Sequence, residues 1–457
     1  MTLPRCTSFI TIERITAFSR LTCFVIALCG FSVLATAQDA LRTTVSASAD
    51  LALIDPETVA EVNPPLPVAE SPDNGSAIAA DGADASGIPR RFHYELKLGI
   101  RGIYDDNINN GHLNRSSDYT TAIEPSLLLA LGDSGPKQEN YLLFVYAPSA
   151  MIYAEHGENN AIQQLVHLEA QYRFSRLTLN IREDIQMLDG TNLDIATATG
   201  TVTDRANLDV SGRTKVNIFN TRLDASYYLA GKTFISSDLG LTINDYNSLI
   251  SSQAVYENVF LNYVYGPKLT VGVGGGAGYN SVEQPNPDQT FEQAALRVQY
   301  QATGKITLNA TGGVEFRQFD GNRDTYITPV FDVGATYNIF DGTTFTLNAT
   351  RNTMNSAVLG GQDFSNTNVI FGVTQRLLQR FAVGVTVGYE RSDYFSTIFG
   401  IDSTRNDNYY FVQPSVDVAV TRFWSVGAYY LRRQNDSSLD SFTFYDNQFG
   451  LRSSLTF

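Results

Sequence analysis

The 457-residue chain is 43% hydrophobic but only 17% charged, where an ordinary globular domain is about a quarter charged. Its 24 Tyr, 27 Phe and 35 Gly suit long sheets, and its net charge of −15 excludes a phosphate-backbone partner, so no nucleic acid is expected. No run of 18 apolar residues occurs beyond the N-terminal region, which excludes membrane-spanning helices there.

Residues 1–37 have the pattern of a signal peptide. Arg5, Arg14 and Arg20 give a positive start, Leu21–Leu34 a short apolar core, and Ala35-Thr36-Ala37 a small-residue cleavage site. A spanning helix is the competing reading, and the apolar core is too short for one. Cys6, Cys23 and Cys29 all lie in this leader, so the exported chain is expected to hold no disulfide and no cysteine nucleophile. Removing the leader's three Arg and one Glu takes the net charge from −15 to −17.

Residues 38–92 hold six of the fifteen prolines and no aromatic before Phe92. Such a segment buries too little apolar surface to offset chain entropy, and it reads as a disordered periplasmic linker.

From 93 to 457 one pattern repeats: an alternating segment, a short turn, another alternating segment, a longer polar loop. The short turns include Ala230-Gly231-Lys232-Thr233, Gly266-Pro267-Lys268, Thr303-Gly304-Lys305 and Phe340-Asp341-Gly342, rich in residues that let a backbone reverse. The long loops include Asp105–Asp118, Asp189–Arg213 and Asn355–Asp363. Eight short turns imply sixteen strands, and one more at each end makes eighteen, the even number that a bacterial single-chain barrel requires.

The alternation has period two. Phe381, Val383, Val385, Val387 and Tyr389 oppose Ala382, Gly384, Thr386, Gly388 and Glu390. These segments run to roughly 10–15 residues, longer than sandwich strands and long enough to cross a membrane at a tilt. Tyrosines and phenylalanines cluster at both segment ends, as two interfacial girdles would. A propeller also repeats every forty or so residues, but it needs four short strands per repeat where this chain has two long ones. The expected fold is therefore an all-β, transmembrane, antiparallel up-and-down barrel of about 18 strands in the outer membrane of a Gram-negative-type bacterium.

The final segment alternates Phe449, Leu451, Leu455 and Phe457 with polar residues and ends on an aromatic, which resembles an insertion signal for the barrel-assembly machinery. Pro125, Pro148, Pro329 and Pro414 fall inside alternating segments, where a closed barrel has no edge strand to hold them. The expectation is interrupted or bulged pairing at these positions.

Eighteen charged residues fall at the inward phase and are candidates to line the lumen. The acids are Glu95, Glu124, Glu169, Asp184, Asp224, Asp238, Glu315, Asp332, Glu390 and Asp417. The bases are Lys97, Arg101, Arg173, Arg182, Arg297, Arg317, Arg376 and Arg452. Such side chains set which solutes pass, or else pair with one another as structural ion pairs. Gly272, Gly274, Gly276 and Gly278 would leave room along one wall or relieve curvature.

Catalysis is not expected. There are four His, at 93, 112, 156 and 167, and no spacing singles out a serine beside one of them. Asp105, Asn107 and Asn109 begin like a calcium loop, but Gly111 comes one residue late and Ser116 stands where the bidentate Glu belongs. No metal or cofactor is expected.

The segment Gly102-Ile103-Tyr104-Asp105-Asp106-Asn107-Ile108, with the later Tyr–Gly-Lys-Thr hairpins such as Tyr228-Leu229-Ala230-Gly231-Lys232-Thr233, resembles the beta-barrel porin type 2 family. That resemblance implies an outer-membrane channel assisting exopolysaccharide export, with polysaccharide and export proteins as partners beside membrane lipid and the insertion machinery. The alternatives are a general diffusion porin, or a plugged structural barrel whose loops bind partners.

Overall fold

The computed structural model describes residues 92–132, 140–193, 205–210, 212–321, 324–340, 342–378, 380–401 and 405–457. The expected signal peptide and nearly all of the expected linker lie outside these residues. The first six strands are β1 (Phe92–Asp105), β2 (Asp118–Gly132), β3 (Tyr141–Tyr153), β4 (Ala161–Arg173), β5 (Leu177–Gly190) and β6 (Thr214–Ala230). Next come β7 (Thr233–Tyr246), β8 (Ser252–Gly266), β9 (Leu269–Val282), β10 (Gln289–Gln301), β11 (Ile306–Phe319) and β12 (Tyr326–Phe340). The last six are β13 (Thr343–Asn355), β14 (Gln362–Leu377), β15 (Phe381–Ser396), β16 (Asn406–Ala419), β17 (Trp424–Ser437) and β18 (Phe444–Thr456).

Every strand pairs antiparallel with its neighbours in sequence, and β1 pairs with β18 from Lys97↔Thr456 to Asp105↔Gln448, which closes the sheet. The eighteen strands expected from the turn pattern are the eighteen observed. Closure leaves no free edge, so each ladder donor and acceptor can be met inside the sheet; this is a condition for crossing a bilayer with strands.

Burial is inverted relative to a water-soluble protein. Val383, Val385 and Val387 face outward and are exposed, as are Leu296 and Leu451, whereas Asn180, Asn262, Gln413 and Ser454 are buried inside. An exposed apolar exterior around a polar interior suits lipid outside and water or polar contacts within, and this is a barrel of the outer-membrane type. Phe423, Trp424 and Phe457 lie exposed at the short-turn end, Tyr119, Tyr279 and Tyr410 towards the long-loop end.

Pairing lapses on one side of all four strand prolines. The β2–β3 ladder stops at Ile123↔Ala150 and resumes at Leu127↔Tyr146, which brackets both Pro125 and Pro148. The β16–β17 ladder lapses between Val412↔Arg432 and Ser415↔Tyr429, beside Pro414. Both resume in the same register, so these are interruptions and not bulges. The β12–β13 ladder starts only at Phe331↔Arg351, just inside Pro329.

Beyond that point the β13–β14 hairpin leans over the lumen. Asp363 of β14 accepts from Gln289 Nε2 of β10 at 2.8 Å, and Asn355 of β13 meets Asn280 of β9. Behind the hairpin, Tyr326 of β12 stacks on Phe395 of β15 with ring centroids 4.0 Å apart. A strand normally pairs on both sides, and losing one partner freed β13 to bend inward.

The inward glycines do not leave room. A Cβ on Gly272, Gly274 or Gly278 would collide with Asn262, Phe260 or Phe291 of the neighbouring strands. Gly240, Gly388 and Gly450 are likewise covered by Tyr256, Phe411 and Tyr429. The absent side chains let aromatic rings lie flat on the inner wall, so the expectation of open space along β9 is corrected.

Candidate functional site: a crossbar at the outer mouth

Of the connections at the long-loop end, the β5–β6 one, residues 191–213, is the longest in sequence, and its described residues 191–193 and 205–210 pack inside the barrel. Its two arms are tied to each other by the backbone bonds Leu193 N→Arg205 O and Asn207 N→Thr191 O, both 2.9 Å. Ala206 and Leu208 then pack into an apolar cluster with Tyr409 and Phe411 of β16, Tyr429 and Leu431 of β17, and Phe444 of β18. These wall residues stand at inward phase, where the alternation would otherwise place polar groups. Burying them under the loop removes them from lumen water, worth about 1.5–3 kcal/mol for each large side chain.

Asp209 is the polar anchor. Its carboxylate accepts from Ser356 Oγ at 2.8 Å, from the Ala357 amide at 2.5 Å and from Tyr394 OH at 3.0 Å. Burial pushes this carboxyl above its usual range, against the lowering effect of those bonds and of Arg405. Arg405 itself is buried, donates to the carbonyls of Leu208 and Asp209, and pairs with Asp407 at 2.6 Å. Its guanidinium lies 3.5 Å from the Phe442 ring centroid and 4.3 Å from that of Tyr394. One arginine thus joins the crossbar to β15, β16 and the β17–β18 loop.

Two further contacts complete the seal. Arg433 pairs with Asp446 at 2.5 Å and donates to Asn192 Oδ1 at 2.7 Å, while Arg205 reaches Glu390 at 3.0 Å. The leaning hairpin meets the crossbar through Asp209 and meets the β7–β8 loop through Ile250 N→Ala357 O at 2.9 Å. Between crossbar and wall is a small cleft lined by Arg101, Asp105, Thr120, Tyr153, Gln163, Asp189, Asn192 and Gln448.

Ten of the eighteen inward-phase candidates pair with one another. Arg101–Glu124 (2.9 Å), Arg452–Asp417 (2.5 Å), Lys97–Glu95 (2.7 Å), Arg182–Glu169 (3.4 Å) and Arg222–Asp238 (3.5 Å) are ion pairs along the wall. Asp184 binds His167 at 2.6 Å. Glu315 and Arg317 pair at 2.8 Å and are buried near the outer end of β11, where Arg317 also donates to Gln289. Arg297 lies over the Phe260 ring at 3.9 Å and lines a smaller cleft with Asp224, Asp238 and Asn258. Arg173 and Arg376 fall near the short-turn end of their strands, and Asp332 sits opposite Thr311 and Thr350.

The sequence reading missed the anchors Asp209, Arg405 and Arg433. A signal existed: Arg405, just before β16, stands two residues from Asp407, and the 191–213 connection is long enough to reach across a lumen. At the long-loop ends of β1 and β18 the structure also gathers carboxylate oxygens of Asp105, Asp106 and Asp446 within 4.8 Å of one another, with Arg433, Arg115, Asn447 and Gln448 on them. It also brings Ser116, His156 and Asp118 together, which no spacing had indicated.

No protein-family model matches this sequence, and no curated protein matches it. The resemblance to the beta-barrel porin type 2 family, and with it the association with exopolysaccharide, therefore gains no support. Among solved structures, OpdK from Pseudomonas aeruginosa with vanillate is similar at 12% identity and a TM-score of 0.43, covering 80% of this chain and 99% of that one. OccAB4 from Acinetobacter baumannii is similar at 11% identity and a TM-score of 0.41, covering 80% and 98%. OccK3 (OpdO) from Pseudomonas aeruginosa gives 11% and 0.39, covering 80% and 95%.

Proposed function

We propose that this chain is an outer-membrane diffusion channel for small hydrophilic solutes, narrowed at its outer mouth, and not a conduit for exported polysaccharide. The observation that supports this reading is the anchored crossbar. A polymer needs a continuous bore over its whole length, whereas a loop fixed by buried ion pairs and an apolar cluster divides the mouth into clefts. Small polar solutes can pass a cleft lined by polar side chains by exchanging hydration for wall contacts. The wall suits such solutes of either sign, because acids and bases alternate around it in pairs.

The test is planar-bilayer recording of the refolded protein, joined to liposome swelling with sugars of increasing size. Small, stable conductance steps and a sharp cutoff near monosaccharides and disaccharides are expected. Large steps blocked by acidic polysaccharide would instead return the export reading, and a silent bilayer would favour a plugged structural barrel.

A further inference from the structure

We propose that Ser116, His156 and Asp118 form a serine esterase site at the outer rim of the barrel, one that hydrolyses carboxylic esters of acyl chains. Ser116 Oγ lies 2.9 Å from His156 Nε2, and His156 Nδ1 lies 3.0 Å from Asp118 Oδ2. Ser116 in the β1–β2 loop and Asp118, the first residue of β2, stand two positions apart, and His156 lies in the β3–β4 loop just beyond the point where the β2–β3 ladder, Thr120↔Tyr153, sets the two strands side by side.

The roles follow from geometry. Asp118 has a fully buried side chain and accepts the backbone N–H groups of Tyr119 (2.6 Å), Glu155 (3.1 Å) and His156 (2.9 Å) as well as the imidazole. A carboxylate fixed this way accepts the Nδ1 proton and selects the tautomer whose Nε2 lone pair faces Ser116. Burial decreases along the relay towards the nucleophile: Asp118 is enclosed, the His156 side chain is 29% exposed, and Ser116 is partly exposed.

Both loops hold the relay still. On one side of Ser116, Arg115 pairs with Asp106 at 2.8 Å and covers the Tyr445 ring at 3.8 Å, while the Ser116 carbonyl accepts from Ile108 N at 2.9 Å. His156 opens a short 3-10 turn, Gly157–Asn159, whose Asn159 carbonyl accepts from Arg213 at 3.0 Å. Placement by packed elements is what makes a nucleophile–base pair effective.

The reaction balances with water as the second substrate. Ser116 Oγ attacks the ester carbonyl carbon as His156 Nε2 takes the hydroxyl proton. The carbon–oxygen bond to the leaving alcohol then breaks, the alcohol takes that proton, and the acyl group stays on Ser116. Water attacks the acyl carbon, again giving its proton to His156; the proton returns to Ser116 Oγ and the carboxylic acid leaves. An acyl chain suits the surroundings: Leu113 in the same loop is 84% exposed, and Tyr119, Ile152 and Ile162 are exposed on the outward faces of β2, β3 and β4. This activity is separate from passage through the lumen, and either can fail without the other.

The experiment uses the full chain refolded in detergent, with heat-modifiable gel mobility as the check that each variant has formed its barrel. A fluorophosphonate probe is expected to label Ser116, as located by peptide mass spectrometry, and p-nitrophenyl octanoate is expected to be hydrolysed. Ser116→Ala is expected to abolish both, Asp118→Asn to lower turnover by about 10⁴-fold, and Ser117→Ala to keep wild-type labelling. Folded wild type that takes no label at Ser116, or Ser116→Ala that still hydrolyses the ester at the wild-type rate, overturns the proposal.

Discussion

Replacing Asp209 with alanine should unlatch the crossbar. The carboxylate accepts three hydrogen bonds, from Ser356 Oγ, Ala357 N and Tyr394 OH, and stands beside Arg405. A hydrogen bond to a charged group is worth roughly 1.5–3 kcal/mol. The loss is partly offset, because burying the carboxylate is itself costly and the two hydroxyls can re-aim. A net of about 3 kcal/mol against docking remains, which is roughly a hundredfold in the ratio of docked to undocked loop. Single-channel recording should then show long-lived steps larger than those of the wild type. Because the carboxyl of Asp209 is raised above its free value, the docked loop binds a proton more tightly than the undocked one. This contribution therefore favours docking on acidification and disfavours it as pH rises through the docked value. Asp209→Asn should remove that component of the pH response. Unchanged step size and dwell time in Asp209→Ala would refute the latch.

Other variants test the wall, the loops and the membrane face. Asp106 behaves oppositely to Asp209: burial would raise its carboxyl, but the two Asn447 donors and Arg115 outweigh it and hold it below the usual range. Its contribution is present above about pH 4 and lost as pH falls through the lower folded value, so hydrogen exchange in the 106–117 loop should quicken in acid, and Asp106→Asn should flatten the change. Arg101→Met removes the cation paired with buried Glu124 and should cost about 3–5 kcal/mol, read as earlier unfolding in urea; Arg101→Met with Glu124→Leu should recover most of it. Gly388→Val drives a side chain into the Phe411 ring and should cost about 1–3 kcal/mol, read as earlier unfolding in urea. Val385→Arg, on the lipid face, should destabilise by about 2–4 kcal/mol if it lies near the membrane midplane, whereas the inward Thr386→Arg should be tolerated; equal effects would refute the assigned orientation.

The architecture was legible because a barrel wall writes itself locally. Period-two alternation in β9, β11 and β15, Gly- and Asp-bearing short turns and end-placed aromatics each depend only on residues near in sequence. A turn such as Asp341-Gly342 is an example, with Gly342 at φ +94°, a backbone conformation that disfavours side chains. Even the prolines announced where pairing lapses, because a missing N–H is a local fact. The inward charges were also assignable to a face, since β1 and β2 put Arg101 and Glu124 at the same phase.

What the sequence could not convey is which of those inward groups meet. Arg101 and Glu124 lie on adjacent strands, but Arg405 meets Asp209 across nearly two hundred positions, and Asp363 meets Gln289 across 74. Such contacts depend on the direction in which a long loop turns. Here the apolar patch on β16–β18 favours the inward course, and the β12–β13 lapse lets a second hairpin follow. The β2–β3 ladder sets Asp118 near His156, but the contact of Ser116 with His156 depends on how the β1–β2 loop turns. Composition, alternation and turn chemistry alone determined a membrane barrel of eighteen strands. Whether its mouth is open, and which side chains gather there, was decided by tertiary packing, because closure of the sheet brings together loops that are far apart in sequence.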